Sequence, residues 1–317
     1  MSETAPSRRP LLIGMFAVIA SVMCFALSFS IIKWPGIPGS VIAWWRLVVS
    51  AVLWWMLLVG RRVRQGSALP TKPTWTLSVP PALCFGVNIA LLFLGITKTS
   101  VAHGEFINAM APLVLIPAGM VMFGERPNWK ALRWGIISLV GLVIVLTNGP
   151  TRGVATVKGD LLVLGSMLAF CGYQLLARRA RARGVGPWDF MTVVMTVALV
   201  TATPVALITA GDEMWPLSAK AWAAVAMLAV LTGMAGHGLL YFAQRSVPIS
   251  TISMIQAGQP SLSAIWAWLL LGEALVAAQI PGMILVTLGL VLVFTFSLRP
   301  APGREEAAFP AQEMPAT

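Results

Sequence analysis

The sequence predicts an all-α integral membrane protein of ten transmembrane helices, arranged as two inverted five-helix repeats. Three observations predict it. Of 317 residues, 58% are hydrophobic and 10% charged, against roughly 25% charge in an ordinary soluble domain. Apolar runs of about 20 residues, enough to cross a hydrocarbon core, recur along nearly the whole chain. The stretch 93–147 also reappears at 241–295, shifted by 148 places without a gap, with 11 of 55 positions identical.

The matching positions are those that shape a backbone. Pro112 falls on Pro260, Gly124-Glu125 on Gly272-Glu273, Gly141 on Gly289 and Thr147 on Thr295. Proline and glycine set local geometry, and a charge after a long apolar run marks its end. Weaker matches align Ser21 and Phe25 with Ser166 and Phe170, and Pro38 with Pro187 after a small gap.

Taken in order, the chain opens with a tail over 1–10, expected to be cytoplasmic. The first repeat covers 11–147, with helices expected at 11–32, 38–60, 77–96, 101–123 and 130–147. The basic start and apolar run at the N-terminus are too long for a signal-peptide core, so they form the first helix. A linker, 148–158, leads to the second repeat, 159–298, with helices expected at 159–177, 187–210, 219–242, 248–271 and 279–298. The polar, proline-rich residues 299–317 are expected to be a disordered cytoplasmic tail.

Loop charge sets the orientation. With the N-terminus inside, 16 Lys and Arg lie on the inner side and 5 on the outer, and Arg46 lies within a helix. By the positive-inside rule both termini face the cytoplasm, across a cell inner (plasma) membrane. Five is an odd number, so the second repeat enters from the opposite face. The net charge of +11 is thereby assigned to membrane loops, with a lipid bilayer and not nucleic acid as the partner. Cys24, Cys84 and Cys171 sit in apolar runs with neither disulfide nor metal-ligand spacing. Neither a metal nor another cofactor is expected, and a homodimer is compatible with the composition.

These features resemble the EamA-type ten-helix transporters of the drug/metabolite transporter superfamily. The residues that carry the resemblance are Ala111-Pro112-Leu113, Gly124-Glu125-Arg126 and Trp134-Gly135 with Gly141. Gln259-Pro260, Gly272-Glu273 and Gly289 repeat the pattern, and Pro38 with Trp45-Arg46-Leu47 is similar to the family's Pro…Arg pattern. The resemblance spans roughly 11–297. It implies export or exchange of small metabolites, such as amino acids or drug-like compounds, through a cavity between the halves. It also implies a cavity lined by helices 1, 3, 4, 6, 8 and 9. Unlike four-helix relatives that export cationic drugs, this chain has no acidic residue in its first helix.

Polar side chains inside spanning helices are costly and so are default site candidates. Asn108 and Gln256 are repeat equivalents, each four residues before a helical proline. Gln259 precedes Pro260 directly. His237, between two glycines, shares a face with Tyr241. Asn88, Tyr173, Gln174 and Arg46 complete the expected cavity lining, Arg46 needing a water-filled path or a buried partner, either a carboxylate substrate or a helix-end carbonyl. Glu105 and His103 are the candidates for proton coupling, and Glu105 equally suits a helix N-terminus. Pro112, Gly124, Glu125, Pro260, Gly272 and Glu273 are expected to be structural, each glutamate capping another helix or pairing with arginine. Six tryptophans fall near the expected membrane surfaces, and Trp44, Trp45, Trp266 and Trp268 lie deeper as candidate aromatic walls.

The expected function is secondary transport of a small metabolite, exported by alternating access. No GxxxxGK[ST] sequence is present to bind ATP. The alternatives are an enzyme acting within the membrane on a lipid-linked substrate, or a non-transporting scaffold. The first requires clustered catalytic groups at one membrane face, which the sequence lacks, and the second requires larger loops or tails.

Overall fold

A computed structural model describes residues 9–66, 69–99, 101–125, 127–148, 156–271 and 277–297. Gly272, Glu273, the C-terminal tail and most of the linker lie outside the described residues. Among the described residues the helices fall into ten successive spans, the fourth and ninth each divided in two. They are α1 (Arg9–Ala26 continued by Ser28–Lys33), α2 (Gly39–Gln65), α3 (Lys72–Ile96), α4a (Val101–Ala109), α4b (Ala111–Phe123) and α5 (Trp129–Thr147). The second half holds α6 (Val157–Ala182), α7 (Pro187–Ala210), α8 (Ala219 to Ala243), α9a (Ile249–Gln256), α9b (Gln259–Leu271) and α10 (Ile280–Ser297). No strand occurs among the described residues. Six segments, α1, α2, α3, α6, α7 and α8, are long and apolar enough to cross a membrane, and shorter apolar stretches lie in α4, α5 and α10. The protein is an all-α, multi-span membrane protein.

Two helices run past their expected ends. α2 continues to Gln65 and α6 to Ala182, because hydropathy reports hydrocarbon thickness whereas backbone hydrogen bonding continues into the interface. Basic side chains favour a helix C-terminus. Arg61 also bonds Gln65 at 3.0 Å, and Gly66 then stops α2 with φ 62°.

The inverted repeat is visible in matched contacts. Ser21 Oγ in α1 donates to Gly236 O in α8 at 2.8 Å, and Ser166 Oγ in α6 donates to Asn88 O in α3 at 3.1 Å. Each bond is the other's image under the duplication. The pairing of α5 with α10 follows the same rule. A Cβ on Gly141 would stand 2.5 Å from Gly282 O and 2.7 Å from Val286 N. One on Gly289 would stand 2.6 Å from Ser138 N and 2.9 Å from Trp134 O. As α5 ascends from 134 to 141, it meets α10 from 289 back to 282, so equivalent helices run antiparallel. The two halves are therefore inverted, and at this seam only hydrogen fits between the backbones.

Glu125 ties the end of α4b to the other half. Its carboxylate accepts from Ile249 N at 2.9 Å and Ser250 N at 3.3 Å, at the start of α9a, and pairs with Arg178 of α6 at 3.0 Å. Arg178 also donates to Val247 O at 2.7 Å. One buried carboxylate thus satisfies the free amides of a helix start and neutralises a buried guanidinium. Gly124, at φ 61°, turns the chain to deliver it.

Two predictions follow from these seams. Gly141→Ala and Gly289→Ala should each cost about 1–3 kcal/mol through overpacking, read as a lower unfolding temperature in detergent. Gly60→Ala, where nothing lies within 4 Å, should not lower it. Glu125→Gln should cost about 3 kcal/mol by leaving Arg178 buried and unpaired. Adding Arg178→Met should recover part of that loss, and strictly additive effects would refute the coupling.

Candidate functional site

The site begins at two broken helices. The fourth and ninth spans, expected as continuous, each divide where their proline approaches, at Met110 and at Ala257-Gly258. Pro112 and Pro260 lack the amide that would bond the residue four places earlier. Those residues are Asn108 and Gln256, so each break presents a released carbonyl beside a carboxamide at matching depth in the two halves. Irregular backbone at membrane depth is tolerated where it lines a cavity.

A cavity does lie there, with about 100 Å³ open to the centre of a water-sized molecule. Its wall is built from α1, α3, α4, α6, α8 and α9, with Arg46 added from α2. Asn88, Glu105, Asn108, Gln174, His237, Gln256 and Gln259 all line it. Residues dispersed over 214 positions of sequence, 46 to 259, are thus brought to one chamber where the halves meet.

Their hydrogen bonding separates them into two groups. Asn88 is committed to the scaffold: its amide donates to Ser166 O at 3.0 Å and Ser166 Oγ at 2.7 Å. Gln174 donates to Gln256 Oε1 at 3.1 Å, which leaves Gln174 Oε1 without a partner. Arg46, His237 and Glu105 belong to the second group. Arg46 is 3% exposed, and its Nε and Nη2 have no partner; its guanidinium lies 5.5 Å above the Phe93 ring. Glu105 is 2% exposed, with both oxygens unpartnered, and Ser263 and Gln259 stand beside it without a well-formed hydrogen bond. His237 has Nδ1 unpartnered, in a ring cluster with Phe25 at 4.7 Å and Phe85 at 4.5 Å.

Other candidates are placed elsewhere. Tyr241 stacks on Phe190 at 3.8 Å and donates its hydroxyl to Val185 O at 3.0 Å, away from the chamber. Tyr173 packs one layer behind, its ring 5.9 Å from that of His237. His103 lies in α4a, but its side chain is outside the described residues. Trp44 and Trp45 bond Thr203 and Met214 instead of lining the cavity. The aromatic wall is made of Phe25, Phe93 and Phe170. A phenylalanine in an apolar helix carries little signal alone, but the repeat match of Phe25 with Phe170 was one. The sequence reading also missed the π-helical turns Leu228–Gly236, which lead into His237 and carry Thr232 into the wall. Such widened turns often mark functional sites. Among the described residues no group of three His, Cys, Asp or Glu could hold a metal.

Known proteins resemble this chain in sequence and fold. The uncharacterized transporter YyaM of Bacillus subtilis (strain 168) is 25% identical over 213 residues, 65% of this chain and 68% of the relative. The S-adenosylmethionine/S-adenosylhomocysteine transporter of Chlamydia trachomatis serovar L2 is 23% identical over 244 residues, 73% of each. A solved crystal structure superposes with a TM-score of 0.68 at 19% identity, covering 91% of this chain and 99% of that one, a likeness of fold. The pattern of the EamA-like transporter family matches twice, at residues 12–147 and 157–295. The chain is a membrane transporter and belongs to the EamA-like transporter family.

Proposed function

We propose that the protein is a secondary transporter that exports a small metabolite by alternating access through the cavity between its repeats. One observation carries this reading. The place where two inverted halves meet, at their paired helix breaks, is also where buried polar groups stand without partners. Inverted halves supply two related arrangements, one open to each side of the membrane. Glu105 is the carboxylate this cavity offers to a coupling proton, with His103 two residues before it in sequence. The chlamydial relative handles S-adenosylmethionine and S-adenosylhomocysteine by its name. The membrane is the cell inner (plasma) membrane, with both termini cytoplasmic.

Proteoliposomes test the reading. Labelled amino acids, nucleosides, organic acids and polyamines are offered, and at least one should enter at least tenfold faster than into empty vesicles. Ala109→Phe, which places a ring in the cavity wall, should abolish that flux while the protein still inserts. Asn108→Ala should raise KM severalfold. If no solute moves faster, transport by this chain is refuted. Orientation has its own check: a fluorescent protein fused after Thr317 should fluoresce, and alkaline phosphatase fused after Lys98 should be active. The reverse pattern would invert the assigned topology.

A further inference from the structure

A second hollow lies outside the chamber, in a groove where the end of α2 meets the start of α7, with about 420 Å³ open to the centre of a water-sized molecule. Its apolar end is made by Met56 and Leu57, which are 65% and 42% exposed. Its basic end is made by Arg61 and Arg64, and Trp188 of α7 stands across from them. Gly60 leaves a gap between the two ends, where a Cβ would meet nothing within 4 Å. Leu57, Gly60, Arg61 and Arg64 share one helical face. At about 1.5 Å per residue, the arginines follow Leu57 by roughly 6–10 Å along the axis.

Fixed contacts hold the groove in shape. Arg62 pairs with Asp189 and so joins α2 to α7. Trp188 rests edge-on against Trp54 at 5.8 Å. Arg61 is held twice, by the bond from its Nε to Gln65 Oε1 at 3.0 Å and by its place 5.4 Å over the Trp188 ring. The charge is one-sided. No Asp or Glu lines the groove, and among the described residues no carboxylate pairs with Arg61 or Arg64. Basic side chains are common beside spanning helices, but a pair of them set above an exposed apolar gap is a more specific arrangement.

We propose that this groove seats one anionic phospholipid from the surrounding leaflet. Its phosphate lies on Arg61 and Arg64, and the upper part of an acyl chain crosses Gly60 against Met56, Leu57 and the Trp188 ring. Neighbouring guanidinium groups bind phosphate by charge-assisted hydrogen bonds, and basic pockets between spanning helices suit such headgroups. A headgroup with its own ammonium finds no carboxylate here, so net negative charge is favoured. A soluble phosphate would use the arginines and leave the apolar end empty. The groove is separate from the chamber, and the proposal does not rest on transport.

Lipid binding to the full-length protein, stripped of lipid in detergent, tests it by native mass spectrometry and by the unfolding temperature. Phosphatidylglycerol should form a saturable one-to-one complex and raise the unfolding temperature. Phosphatidylcholine with the same acyl chains should bind at least tenfold more weakly, and inorganic phosphate at the same concentration should leave the temperature unchanged. Arg61→Gln combined with Arg64→Gln should weaken phosphatidylglycerol at least tenfold and phosphatidylcholine less than twofold. Gly60→Trp, which fills the gap and keeps both charges, should weaken phosphatidylglycerol as much. Arg179→Gln combined with Arg183→Gln, at exposed arginines near the end of α6 and outside the groove, should weaken it less than twofold. Failure of phosphatidylglycerol to bind overturns the inference, as do two lipids bound within twofold of each other or inorganic phosphate matching the lipid. An α6 pair as influential as the α2 pair also overturns it, because the attraction would then be diffuse surface charge. The comparison of lipids on the unaltered protein decides the matter even where a variant fails to assemble.

Discussion

Inside a bilayer no water is available to satisfy a backbone carbonyl, so every break in a helix must be justified by what surrounds it. This chain breaks its fourth and ninth spans at related prolines, and both breaks border the same chamber. The position of the cavity follows from that constraint. Pro112 and Pro260 remove the amides that would bond the carbonyls of Asn108 and Gln256, and at that depth such carbonyls are tolerated within protein or along a cavity such as the one they border. The remaining helices are then arranged to seal that space and to join the two halves around it.

The joints differ in kind. At α5 and α10 two glycines let backbones meet, and the contact is short-ranged and apolar. At the C-terminal end of α4b a carboxylate reaches across to cap α9a and pair with Arg178. Within the wall, Asn88 and Ser166 bind each other across the halves. All these polar groups are fully used. Against those joints, Arg46, Glu105 and His237 border the cavity with open valences.

Much of the architecture was legible in the chain because its signals are local or periodic. Apolar length marks a span, and the recurrence of Pro112, Gly124-Glu125 and Gly141 at a fixed offset exposes the duplication. Site candidates could be named for the same reason: a polar residue within an apolar run stands out. Their separation into scaffold and free groups could not be read this way. Asn88 and Arg46 look equally conspicuous in sequence, yet Ser166, 78 positions from Asn88, satisfies one, while Nε and Nη2 of the other have no hydrogen-bond partner. Tyr241 likewise shares a helical face with His237 but finds Val185 O, a partner that periodicity does not reveal.

The sequence by itself determined the number and direction of the repeats, because five apolar spans per copy force the second copy to enter from the other face. It also determined where the helices would weaken, since a missing amide is a covalent property of proline. Only the tertiary structure decided which polar groups are left to meet a ligand. That outcome depends on distances between side chains far apart in the chain, and a hydrogen bond is made or lost within a few tenths of an ångström. The widened turns before His237 and the phenylalanine wall belong to the same class. They arise where helices already placed by local rules must pack against one another.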